Sequence, residues 1–188
     1  ASVSIAMASF GTLAFHWSTV ALLTLLLHTS SFLTDAKVQR LRAHVAKSMD
    51  SELGGKKNVL GTALQSCSKN GMAMTGFTRN GKCADVGDDD AGSHHICIIM
   101  KSDFCTVTGQ PNWCEEEMPC MGKSGDCKIG NWCVCQWAFA SYLEMAGGCD
   151  SATVNVLCNS TNMAAARAYK ESSESHHVAA LQCIEQQC

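Results

Sequence analysis

FGTLAFHWSTVALLTLLLHTSSFL, residues Phe10 to Leu33, decides how the rest of this chain is read. From Ala1 to Thr34 there is no Asp, Glu, Lys or Arg, and only His16 and His28 can ionise. As an α-helix the quoted run would extend about 36 Å at ~1.5 Å per residue. A bilayer core needs ~20 mostly apolar residues. Residues 1–34 are therefore expected to form a single N-terminal transmembrane helix. A secretory signal would begin with a basic region and carry a shorter apolar core. No basic start is visible here, so a retained anchor is the first expectation, with a signal or a core helix as the alternatives. Ser18, Thr19, Thr24, Thr29 and Ser30 interrupt the run and can bond to carbonyls one turn back or to a neighbouring helix. Partners are expected to be other membrane subunits, met through residues 10–33, and lipid. His16 lies inside the apolar run. It would bond to a neighbouring helix or act as an axial ligand, to chlorophyll magnesium or haem iron.

Residues 35–57 carry Lys37, Arg40, Arg42, Lys47, Lys56 and Lys57 against Asp35, Asp50 and Glu52, a net of +3. Val38, Leu41, Val45 and Met49 recur at three or four residues, which predicts a basic amphipathic helix followed by a Leu53-Gly54-Gly55 linker. Such a helix lies on a membrane surface or against another subunit. Residues 58–188 sum to −6 and the whole chain to −3. No basic stripe with interleaved aromatics exists, so nucleic acid is not an expected partner. Two rules conflict over the side of the membrane. Basic residues after the span favour the cytoplasmic or stromal side. Thirteen cysteines, all after residue 66, favour an oxidising, lumenal or external side. The cysteines are given more weight.

From Asn58 the composition turns rich in cysteine and turn formers, and residues 58–188 suit one small disulfide-rich α+β domain. Short strands are predicted near Val59–Leu64, Thr75–Arg79, His95–Met100, Trp132–Trp137 and Thr153–Leu157. Helices are predicted at Ala138–Ala146, Asn162–Lys170 and His177–Gln187. Thr108–Gly130 reads as a long loop that needs its own restraint, and Cys114, Cys120 and Cys127 can supply it.

Several words in this region occur at telling distances: Asn58-Val59-Leu60-Gly61, Cys67-Ser68, Met74-Thr75-Gly76-Phe77 with Arg79, Gly81 and Cys83. Asp90, Gly92-Ser93-His94, Cys97 and Met100 follow, then Trp132-Cys133-Val134-Cys135 and Val154 to Tyr169. With these the chain resembles the domain-of-unknown-function 2237 family over roughly residues 58–172. Members are mostly small soluble bacterial proteins without an assigned reaction, so the resemblance implies a fold and little chemistry. It implies that Cys67, Cys83, Cys97, Cys133 and Cys135 belong to the shared pattern. Cys105, Cys114, Cys120, Cys127, Cys149, Cys158, Cys183 and Cys188 are then additions, as is the anchor.

Disulfides are the first reading of the cysteines. The candidates are Cys67, Cys83, Cys105, Cys114, Cys120, Cys127, Cys149, Cys158, Cys183 and Cys188. An odd total leaves at least one thiol free, bound or paired with another chain. A thiol or metal centre is the second reading, built on Cys133, Cys135, Cys97 and His94. Cys133 and Cys135 on one strand would share a face, although no Cys-x2-Cys pair of the usual zinc kind occurs. Asp88-Asp89-Asp90 with His94-His95 can bind a divalent ion, or else forms an acidic turn. Asp90 with His94 matches the family pattern. Asn159-Ser160-Thr161 is a glycosylation sequon. No Ser-His-Asp, P-loop or His-Glu-x-x-His pattern is present. The chain is therefore expected to be a non-catalytic accessory subunit of a large membrane complex. A photosynthetic (photosystem–antenna) assembly in the thylakoid is preferred, where the transmembrane helix would touch chlorophyll. The alternatives are a respiratory subunit or a membrane-tethered thiol-redox or metal-binding protein.

Overall fold

The computed structural model describes residues 35–45, 56–100, 102–110, 113–152 and 154–188. The expected membrane span at 10–33, with His16, lies outside the described residues, as does the part of the expected basic helix and linker at residues 46–55. Among the described residues no helix is long and apolar enough to cross a membrane. The chain divides into two units, residues 1–48 and 49–188. In the first, residues 35–45 form helix α1, exposed at every position.

The second unit is a small, disulfide-rich α+β domain. Its centre is a three-stranded antiparallel sheet in the order β4-β1-β5, made of Asn131–Val134, Ile96–Ile99 and Asn155–Val156. A separate hairpin pairs β2 (Glu117–Pro119) with β3 (Asp126–Lys128). Helices α2 (Ser102–Val107), α3 (Gln136–Met145), α4 (Met163–Lys170) and α5 (Ser175–Gln187) complete it.

Pleat alternation sorts the sheet residues into two clusters. Successive side chains on a strand point to opposite faces. Ile96 and Ile98 of β1, with Val134 and Trp132 opposite them on β4, join the apolar core with Phe139, Tyr142, Leu143, Tyr169 and Ile184 of the helices. Cys97 and its cross-strand neighbour Cys133 belong to a second buried cluster with Cys67, Cys83 and Leu157. Cys97 and Cys133 do not bond to one another. Each reaches into the N-terminal loops instead, as Cys67–Cys97 and Cys83–Cys133. These two bridges fasten residues 56–86, which contain no named strand or helix, onto the sheet.

Four further bridges hold the periphery. Cys105–Cys114 ties α2 to the turn at Trp113, and Cys120–Cys127 closes the hairpin. Cys149–Cys183 and Cys158–Cys188 anchor α5 and the C-terminus.

Several sequence expectations need correction. Val59–Leu64 is not a strand. The buried Asn58 side chain accepts from the Leu60 and Thr62 N–H groups at 3.0 and 3.1 Å and donates to Thr62 Oγ1 at 2.8 Å, so it folds the segment into a turn about itself. Thr75–Arg79 is not a strand either, because Gly76 (φ 87°) and Arg79 (φ 52°) are left-handed. The expected loop at Thr108–Gly130 holds the hairpin β2–β3, and α2 was not foreseen.

The Cys83–Cys133 bridge closes the longest loop and should matter most to stability. By loop-closure entropy, losing Cys83–Cys133 (separation 50) should cost about 4 kcal/mol and losing Cys120–Cys127 (separation 7) about 2.5 kcal/mol. Denaturant midpoints of the paired Cys→Ser variants measure both, and the reverse order would contradict this placement.

Candidate functional site

Strand β4 is an edge strand, and a groove runs beside its C-terminal end. Three stretches of chain meet there: the turn Gly76–Arg79, the loop Asp90–His94, and Cys133-Val134-Cys135 at the junction of β4 with α3. Two adjoining cavities, of about 340 Å³ and 240 Å³, share Arg79, His94, Trp132 and Cys133 as walls. Cys135 lines the larger.

The turn that carries Arg79 is held by backbone and by polar side chains. The Arg79 N–H donates to the Gly76 carbonyl at 3.0 Å, and the Gly81 N–H to that of Thr75 at 2.9 Å. A Cβ on Gly76 would lie 2.2 Å from the Lys82 carbonyl oxygen, so only glycine closes this turn. Beneath it, Thr75 Oγ1 accepts the Cys133 N–H at 2.8 Å, and Asn131 Nδ2 donates to the Cys67 carbonyl at 2.9 Å. These bonds register the loop on the outer edge of β4. The Arg79 guanidinium carbon sits 4.9 Å from the Trp132 ring centroid.

His94 is positioned from three sides. Its backbone N–H donates to Asp90 Oδ2 at 2.7 Å, and its Nδ1 meets Asp90 Oδ1 at 2.6 Å. Gly92 lets the ring settle, because a Cβ there would come 2.6 Å from His94 Cε1. Ser93 takes φ 49°, and its carbonyl accepts the Gln136 N–H at 3.1 Å. That last bond links the residue before His94 to the residue after Cys135. His95, buried, adds a second tie through Nδ1 to Gln136 Oε1 at 2.9 Å. Arg79 and Ser93 are the two non-glycine residues with positive φ among those described, and both flank the groove. Left-handed backbone at such residues costs of order 1 kcal/mol or more and gathers where a site is held in shape.

Asp90 is buried. Burial alone would raise its carboxyl pKa. The hydrogen bonds from the His94 backbone and ring, and the charge of His94 and His95, outweigh that and hold it below the ordinary carboxylate range. A carboxylate at Asp90 accepts a proton carried on His94 Nδ1, which turns Nε2 away from the pair. Cys135 stands at the N-cap of α3, half-buried, and its sulfur makes no capping bond. Behind it, Tyr169 donates its hydroxyl to the Gln136 carbonyl. Burial pushes the Tyr169 phenol pKa far up, and negative charge on the nearby Cys135 sulfur acts the same way, so Tyr169 stays a neutral donor.

The ten cysteines named as disulfide candidates are all bridged. So are Cys97 and Cys133, which were expected with Cys135 and His94 to form a thiol or metal centre. That four-residue centre is corrected. The Cys67, Cys83 and Cys133 sulfurs do lie within 4.8 Å of one another, but all three are oxidised and offer no thiolate. Strand β4 ends at Val134, so Cys133 and Cys135 do not share one strand. Of the expected centre, Cys135 and His94 remain together in the groove. Of the acidic run, Asp88 and Asp89 are exposed in a 3-10 turn and only Asp90 reaches His94. Arg79, Trp113 and Tyr169 had no assigned role; the left-handed turn that aims Arg79 has no marker in the residue itself.

A family model described as "Uncharacterized protein conserved in bacteria (DUF2237)" matches residues 57–180. No curated protein matches the chain.

The lowered Asp90 pKa has a signed consequence. Its stabilising share is fully present above the unfolded value of about 4 and is lost as pH falls through the folded value. Asp90→Asn should therefore flatten the acid slope of stability, read as thermal midpoints between about pH 6 and about pH 2. An unchanged slope would exclude Asp90 as its source.

Proposed function

The chain belongs to the DUF2237 family, and from that premise and the groove's geometry we propose that its domain is a thiol-dependent protein of an oxidising compartment, with Cys135 as the reacting group. One observation carries this reading. Of thirteen cysteines, the one left unbridged shares a groove with the histidine of a buried His–Asp pair.

The proposed chemistry uses His94 as the base for Cys135. The Cys135 S–H proton passes to His94 Nε2, and Asp90 stabilises the imidazolium that results. The thiolate then forms a bond to an electrophilic carbon or sulfur of the substrate, and the leaving group takes the proton back from His94. Six disulfides support an oxidising setting, where thiols that can pair do so. Cys135 has no bridged partner and stays available.

A second reading is supported by α1 and is compatible with the first. Val38, Leu41 and Val45 fall on one helical face and are 45%, 57% and 51% exposed, beside Lys37, Arg40 and Arg42. A cationic helix with a bare apolar row suits a membrane surface. In this reading residues 10–33 are the tether, and the chain is an accessory subunit of a membrane assembly.

Two measurements test these proposals. Iodoacetamide on the native, unreduced protein should modify Cys135 alone by mass spectrometry, and His94→Gln should slow it ten-fold or more. Equal rates in both proteins would remove His94 as the base, and no labelling would remove the thiol reading. Independently, the full chain should co-sediment with vesicles containing anionic lipid. In the full chain residues 10–33 can bind by themselves, so the α1 reading requires Leu41→Glu with Val45→Glu to weaken binding several-fold; undiminished binding ends it.

A further inference from the structure

Both cavities carry aromatic faces beside polar groups. Phe104, Trp113 and Met118 line the larger, Phe77 the smaller, and Trp132 both. Among the described residues no Asp, Glu or Lys lines either one, and Arg79 is their single permanent charge. No carboxylate among the described residues lies within ion-pair distance of Arg79. The guanidinium is nonetheless placed with care. A turn that only glycine can close presents it, in a left-handed backbone, over the Trp132 ring. Stacking on an aromatic face orients the guanidinium plane and leaves its donor fork free at the edge.

We propose that this groove binds a small carboxylate with a flat, apolar body, the carboxylate on Arg79 and the body against Trp132 and Trp113. The substrate class rests on the thiol reading, since it places the ligand beside Cys135 and His94. Charge balance selects the head group. A single guanidinium neutralises one negative charge and matches a carboxylate with two parallel hydrogen bonds. A phosphate dianion would leave a second charge that the one guanidinium cannot neutralise, with only the His94 ring, among the described residues, nearby to meet it. Size agrees as well, since a cavity of about 340 Å³ stands at the lower end of small-molecule sites. Trp113 and Trp132, with ring centroids 5.7 Å apart, form an aromatic corner for the body.

The test uses full-length protein, with tryptophan fluorescence and calorimetry as readouts. Phenylacetate, its neutral counterpart phenylacetamide and inorganic phosphate are the probes. Phenylacetate should bind at least ten-fold more tightly than the amide or phosphate. Arg79→Ala, and Arg79→Lys to a smaller degree, should abolish that preference while the thermal midpoint stays unchanged, because Arg79 is exposed. Cys135→Ser should bind phenylacetate within two-fold of the native protein. Equal binding of acid and amide, no binding of either at millimolar concentration, or full binding by Arg79→Ala would overturn the proposal. Because Cys135→Ser has no thiol, binding there is judged apart from thiol reactivity. A reactive Cys135 without carboxylate preference sinks only this inference, and carboxylate binding without a reactive thiol sinks only the thiol reading.

Discussion

The two buried bridges Cys67–Cys97 and Cys83–Cys133 constrain everything else in the domain. The sheet has three strands of two to four residues, and one face of it packs on helices. A sheet this small cannot by itself order the chain on its other face. Residues 56–86 have no ladder or helix of their own, so their backbone groups are satisfied one by one. Asn58 serves its own turn, Ser68 bridges Ala73 and Thr75, and Thr75 caps the β4 edge. Such polar stitching needs its partners already in register. The bridges provide that by joining the loops to adjacent positions on β1 and β4, where Cys97 and Cys133 are directly opposed.

The pairing divides the cysteines into two sets that never mix. Cys67, Cys83, Cys97 and Cys133 pair only with one another, at the centre. The other eight bridged cysteines also pair only with one another, around the rim. Two rim bridges, Cys149–Cys183 and Cys158–Cys188, join the family-matched span to the α5 end beyond it. The rim set thus reinforces a framework the central set already defines. Cys135 is what remains, with no counterpart in either set. It stands at the N-cap of α3, after the strand has ended, where it lines the groove and lies outside the disulfide cluster.

What could be read from residues alone depended on whether the signal was local. Helices α3, α4 and α5 fall within about two residues of their predicted bounds, and Asn162 caps α4 through its side chain. β1 and β4 were legible as short β-rich runs. Val59–Leu64 and Thr75–Arg79 looked like strands because they carry β-formers. Their conformation is instead set by a buried Asn58 and by Gly76, which act through long-range burial and one steric contact. The His94–Asp90 pair was visible as a spacing, with nothing to say which of three aspartates would turn inward. Cys133 and Cys135 were grouped wrongly because the predicted strand Trp132–Trp137 ran past Val134, where β4 ends, so the period-2 rule did not reach Cys135. Arg79 is invisible as a site residue until the turn is closed over Trp132.

The groove inherits its shape from the same constraint. Arg79 comes from the loop held down by Cys83, His94 from the loop leading into β1, and Cys135 from the end of β4. No secondary-structure element joins these three except through the sheet edge. Cys133 belongs to both systems, since it closes a central bridge and lines both cavities. Opening Cys83–Cys133 would release the tether that holds Gly76–Arg79 against β4, and the guanidinium would leave Trp132 with it. The oxidised state is therefore a condition of the groove's geometry as well as of stability. In the proposed reading, a thiol that stays reduced operates beside a disulfide that must stay closed. The proposed site reconciles the two by giving Cys135 no sulfur it can bridge without breaking the frame that positions it.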